Sequence, residues 1–93
     1  MSTSITILLP FRDAAPTLPE CLDSIEQQSL GSFELLAVDD RSQDHGPQLV
    51  RERARRDTRI RLLSNSGRGL VAALNYGLRR ASTPLIARMD ADD

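Results

Sequence analysis

Residues 89–93 read Met89-Asp90-Ala91-Asp92-Asp93, three carboxylates within four residues, directly after an apolar, strand-like run. Two carboxylates held about 4 Å apart repel by roughly 4 kcal/mol at an effective dielectric near 20, so a cation normally relieves such a cluster. An all-oxygen ligand set suits Mg²⁺ or Mn²⁺, which complete their octahedra with waters and phosphate oxygens rather than with protein alone. The cluster therefore reads as a metal-bridged diphosphate site, set against the plainer alternative of a solvated acidic turn.

Other polar groups follow other apolar runs. Asp39-Asp40 stands where a carboxylate can accept hydrogen bonds from ribose hydroxyls or a base N–H; turn or cap chemistry is the competing assignment, for Asp40 and Ser42 above all. Asp44 reads as turn chemistry. Ser64-Asn65-Ser66-Gly67-Arg68-Gly69 opens a helical pattern: its glycines permit close backbone approach, helix N–H groups favour an anion, and Arg68 can contact phosphate. An ordinary glycine turn with an exposed Arg68 is equally open, and neither a P-loop nor a full dinucleotide fingerprint is present. Arg88, inside a strand pattern, needs a partner, either the acidic cluster, Asp90 above all, or a ligand phosphate.

The elements that must position these groups alternate along the chain. Residues 5–9 form a continuous apolar run ended by Pro10, which predicts a buried strand. Thr17-Leu18-Pro19-Glu20 has the pattern of a capping box, and apolar positions 18, 21, 22 and 25 predict a helix reaching about residue 28, closed by Gly31. Further strands are predicted over 33–38, 60–63 and 85–89. Helices are predicted from Pro47 to about residue 56 and over 70–81, the latter with Leu70, Leu74 and Leu78 on one stripe. Gly77 inside the third helix predicts close packing against a neighbour. The order βαβαβαβ implies a three-layer, Rossmann-like α/β domain with a parallel sheet and right-handed crossovers. Ligands in such sheets sit beyond the carboxyl ends of the strands, where strand order reverses, and each polar cluster named above falls at such an end.

Ninety-three residues make one small domain, and the formal net charge of −1 with only Phe11, Phe33 and Tyr76 as aromatics argues against a nucleic-acid partner. All 12 basic residues are Arg, and six fall between Arg51 and Arg61, as a solvated face or an attraction to anionic lipid. The lone Cys21 shares an apolar face with Leu18, Leu22 and Ile25 and reads as packing, and His45 as a solvated loop residue. With no internal disulfide available and no targeting or spanning segment in the sequence, the expected setting is a reducing cytoplasm, with peripheral contact at the inner face of a membrane as the lipid alternative.

The residues together resemble the nucleotide-sugar-binding half of a family 2 glycosyltransferase of the GT-A fold. Ile7-Leu8-Leu9-Pro10 is similar to that family's opening strand, and Leu36-Ala37-Val38-Asp39-Asp40-Arg41-Ser42 to its V-D-D-G-S signature. Asn65-Ser66-Gly67 with Ala73-Leu74-Asn75-Tyr76-Gly77-Leu78 is similar to its N-x-G and A-x-N-x-G-L stretch, and residues 87–93 to its D-x-D-D motif. The resemblance covers essentially residues 1–93. It implies a donor nucleotide-sugar site of Pro10, Phe11, Arg12, Asp39, Asp40, Asn65, Gly67, Arg68, Asp90 and Ala91, with Asp92 and Asp90 holding Mn²⁺ or Mg²⁺ and Asp93 secondary. It also implies transfer with inversion from a nucleotide-diphosphate sugar, UDP-sugar favoured, to a saccharide or lipid-linked acceptor in polysaccharide or glycoconjugate synthesis.

Two positions depart from the pattern. Arg12 stands where an aromatic residue often stacks on the base, and Arg41 replaces the glycine that usually follows the acidic pair. In that family the general base and the acceptor pocket lie downstream, beyond residue 93. The expectation is therefore a GT-A domain truncated after its fourth strand, inactive alone and self-associating through an exposed sheet edge. Two rival classes differ at the motif positions. A sugar nucleotidyltransferase would carry a glycine- and arginine-rich loop where Arg12-Asp13-Ala14-Ala15 stands, and a receiver-type regulatory domain would carry its acidic pair after strand one.

Overall fold

The computed structural model describes residues 5–28 and 32–91, so Gly31, Asp92 and Asp93 lie outside the described residues. The apolar runs form strands β1 (Ile5–Phe11), β2 (Phe33–Asp39), β3 (Ile60–Ser64) and β4 (Ile86–Arg88). Between them lie helices α1 (Leu18–Gln27), α2 (Gly46–Arg56) and α3 (Leu70–Arg80). All pairings are parallel and the strand order is β3-β2-β1-β4.

Side chains alternate across the sheet, so each central strand feeds two cores. Leu9, Phe11, Leu35 and Ala37 pack with Leu18, Leu22 and Ile25 of α1 and Val50 of α2. Full burial of an aliphatic side chain contributes about 1.5–3 kcal/mol, and Leu9, Leu18 and Leu35 are completely shielded. On the opposite face, Leu8 and Val38 meet α3 at Gly77, where an added Cβ would stand 2.9 Å from Leu8 Cδ2 and 3.4 Å from Val38 Cγ2. The close packing expected of Gly77 is present.

Four local expectations are corrected. Pro10 does not end the first strand but lies within it, in register with Val38. Even-numbered β1 residues point their backbone groups toward β4: Thr6 N donates to Leu85 O at 2.8 Å and Met89 N to Leu8 O at 2.9 Å. Pairing with β4 stops at Leu8, so the N–H that Pro10 lacks would have had no ladder partner. The fourth strand is shorter than expected because, among the described strands, it pairs with β1 alone. Thr17 makes no side-chain cap; its hydroxyl turns back to donate to Ala14 O at 3.2 Å, since Thr17 already sits in a tight turn. In α3 the buried residues are Ala73 and Gly77, whereas Leu70 and Leu78 are each 47% exposed, because only small side chains let the helix approach the sheet this closely.

Among the described residues no helix is long and apolar enough to cross a membrane.

Candidate functional site

From β1 the chain steps outward to β2 and β3, then returns over α3 to place β4 on the other flank of β1. Strand order thus reverses between β1 and β4, and their carboxyl ends separate beyond the last ladder pair, Leu8 with Arg88. A cavity of about 440 Å³ opens there, lined by Pro10, Phe11, Arg12, Ala14, Asp40, Leu70, Ala73, Arg88, Asp90 and Ala91. That volume lies in the range of small-ligand sites.

Six of the residues read from the sequence, Pro10, Phe11, Arg12, Asp40, Asp90 and Ala91, meet in this one wall. Asp39, Asn65, Gly67 and Arg68 do not line it. The Asp39 Oδ1 accepts the Ser42 N–H at 3.0 Å, so turn chemistry holds it. The Gly67 carbonyl accepts from Arg41 Nε at 3.3 Å, and Arg68 is exposed. Ala14, Leu70 and Ala73 belong to the wall and were not read from the sequence. Their one available signal was position, at the starts of the segments that follow β1 and the glycine loop.

Asp40, 8% exposed, is held from behind. Its Oδ1 accepts from Asn65 Nδ2 at 3.1 Å, and the Gly69 N–H reaches Oδ1 at 3.1 Å and Oδ2 at 3.2 Å. Gly69 precedes α3 with φ of 93°, a conformation glycine adopts freely. The anion expected at the start of this helix is therefore supplied by Asp40 itself, which is why the Asn65–Gly69 loop faces a carboxylate rather than the cavity.

The rim is fixed by a second set of turns. Asp13 Oδ1 accepts the Gln43 N–H at 2.7 Å and the Asp44 N–H at 3.3 Å, and the Asp13 N–H donates to Ser42 Oγ at 3.0 Å. Asp44 in turn accepts from Ala15 N at 3.0 Å and Gly46 N at 2.8 Å, and these donors, Ala15 first, pull its carboxyl below the usual range. Arg41 has φ of 61°, so the chain bears the left-handed conformation that glycine would adopt freely there, at a cost of about 1–2 kcal/mol.

Arg88, whose partner the sequence left open, pairs with Asp90: Nη2 lies 3.0 Å and Nε 3.1 Å from Asp90 Oδ1. Among the described residues no three His, Cys, Asp or Glu side chains converge as a ready metal cage. Asp90 nevertheless offers a carboxylate in the wall, the hard oxygen donor that suits a divalent ion bound mainly through waters and phosphate. Burial raises the Cys21 thiol above its ordinary pKa, in keeping with a packing role.

A parallel α/β sheet with helices on both faces and a cleft at its strand-order reversal defines a doubly wound fold of GT-A type. Its overlap with the mannosyltransferase PcManGT of Pyrobaculum calidifontis, solved in complex with GDP-Man and Mn²⁺, has a TM-score of 0.87 at 31% identity, over 99% of this chain and 28% of that one. The chain belongs to glycosyl transferase family 2, which matches residues 6–93. Relatives include the uncharacterized glycosyltransferase EpsJ of Bacillus subtilis, 33% identical over 96% of this chain and 26% of that protein. Another is the Escherichia coli UDP-Glc:alpha-D-GlcNAc-diphosphoundecaprenol beta-1,3-glucosyltransferase WfgD, 36% identical over 96% of this chain and 35% of that protein. The chain thus spans about a quarter to a third of the length of these relatives. Family membership sets aside the nucleotidyltransferase and receiver alternatives.

Proposed function

We propose that residues 1–93 form the donor-binding part of a metal-dependent, inverting glycosyltransferase that takes a sugar from a nucleotide-diphosphate sugar, UDP-sugar in first place. The acceptor is a hydroxyl of a saccharide or lipid-linked glycan. One observation carries this reading: the reversal of strand order brings Asp40 and Asp90, from strands on either side of β1, into a single cavity wall.

In this reading Asp40 accepts a base N–H, Pro10 and Phe11 give an apolar floor, and the planar guanidinium of Arg12 stacks on the base. Asp90 and Asp92 are the residues that would hold Mn²⁺ or Mg²⁺. Such an ion, when bound, neutralises charge developing on the leaving diphosphate. The mannosyltransferase of the same fold, solved with GDP-Man and Mn²⁺, supports use of a divalent ion with a nucleotide sugar. Arg88 lies beside Asp90 and can turn to a phosphate oxygen. The setting proposed is cytoplasmic, with the Arg51–61 run as a contact to anionic lipid; failure to sediment with anionic vesicles at low salt removes that contact.

Calorimetric titration with UDP, with GDP as control, with and without Mn²⁺, tests the reading. Mn²⁺-dependent binding is the expected result, and Asp92→Asn removes the metal dependence without changing the circular dichroism spectrum. No heat from a folded sample with either nucleotide overturns it.

A further inference from the structure

Asp40 is 8% exposed and lines the cavity, and its two oxygens are not equivalent. Oδ1 accepts from Asn65 Nδ2 at 3.1 Å and from the Gly69 N–H at 3.1 Å, whereas Oδ2 receives only a share of that same N–H, at 3.2 Å. A carboxylate oxygen accepts about two hydrogen bonds, so Oδ1 is full and Oδ2 has room for one strong donor. Asn65 cannot swing away. It is 9% exposed, its Oδ1 accepts the Gly67 N–H at 3.0 Å, and its Nδ2 also donates to Gly69 O at 3.3 Å. Acceptor on one side and donors on the other leave the amide a single orientation.

We propose that Asn65 is a positioning residue that sets the base preference of the donor cavity, holding one oxygen of Asp40 so that a single acceptor meets the base. This rests on the donor-site reading above and names its base. Uracil carries one ring N–H, flanked by two carbonyls, and is satisfied by one acceptor. Guanine presents N1–H and N2–H side by side, a fork that matches a carboxylate with both oxygens open. With Oδ1 taken, one guanine donor faces an oxygen without capacity. A hydrogen bond lost in this way is worth about tenfold in affinity.

The test is titration of UDP and GDP, each with Mn²⁺, into the wild-type chain and into Asn65→Ala and Asn65→Ser, with circular dichroism confirming the fold. The wild type binds UDP about tenfold or more tighter than GDP, and in the variants that ratio falls toward one as Oδ1 is released. A merely structural role would weaken both nucleotides alike and leave the ratio unmoved, and an unmoved ratio in a folded variant overturns the proposal. If neither variant folds, the wild-type ratio decides, and a value near or below one overturns it. UDP binding without discrimination overturns this inference alone, whereas absence of binding by both nucleotides overturns the donor reading and this inference with it.

Discussion

Arg88 and Asp90 share a single oxygen: both Nη2, at 3.0 Å, and Nε, at 3.1 Å, approach Asp90 Oδ1 in the cavity wall. Their side chains are 47% and 41% exposed, so the pair is worth at most about 1 kcal/mol and can be exchanged for better partners. A divalent ion competes with the guanidinium for that carboxylate, and a diphosphate gives Arg88 a new one to bind. Arg88→Ala is therefore expected to tighten Mn²⁺ binding to the nucleotide-free chain and to weaken UDP binding at saturating Mn²⁺, each severalfold. Two titrations check this, and equal shifts of the same sign would contradict the exchange.

Gly77 is a packing requirement rather than a hinge. A Cβ there would stand 2.9 Å from Cδ2 of Leu8, itself only 2% exposed and unable to give way freely. Overpacking of this kind costs about 1–3 kcal/mol, and the better helix propensity of alanine returns up to about 1 kcal/mol. Gly77→Ala is expected to lower stability by up to about 2 kcal/mol, measured as a shift in urea midpoint. A higher midpoint would mean that α3 does not seat on β1 as described.

β4 pairs only with β1 among the described strands and leaves Leu85 61% and Ile86 41% exposed. Such an edge beside apolar surface is a site for pairing with another copy. Light scattering is expected to show mass rising with concentration, and Ile86→Lys to suppress the rise. A monodisperse monomer at high concentration would count against self-association.

The alternation of elements was legible because apolar runs and helical spacing are local properties. What the sequence could not convey were the effects of neighbours. Pro10 looks like a strand end when judged by its missing donor, and only the early departure of β4 makes it harmless within β1. The leucine stripe of α3 was plain, but whether leucine or glycine faces the sheet depends on how near Leu8 and Val38 come. At the site, Asp40 and Asp90 were legible as carboxylates at strand ends. That Asn65 turns toward Asp40 rather than toward a ligand required the loop to fold back on the start of α3.

The far end of the sheet carries a pH dependence of its own. Glu34 Oε2 accepts from the fully buried Thr6 hydroxyl at 2.7 Å, the Ser82 N–H at 2.9 Å and the Ser82 hydroxyl at 3.0 Å, tying β2 and β1 to the turn after α3. Burial alone would raise its pKa, but these donors and the Arg61 charge outweigh it and hold the carboxyl below its ordinary value of 4.5. A depressed folded-state pKa contributes stability that is present above the unfolded value and is lost as pH falls through the folded one. Asp57, drawn down chiefly by the Arg59 guanidinium, loses its share at still lower pH. The urea midpoint is therefore expected to be flat above about pH 5 and to fall below about pH 4.5. Glu34→Gln removes an ionised acceptor of three donors, so it lowers stability at neutral pH by about 1–3 kcal/mol, read as a lower urea midpoint, and flattens the first part of the acid slope. A slope identical to wild type in that variant would assign the acid sensitivity to other carboxylates.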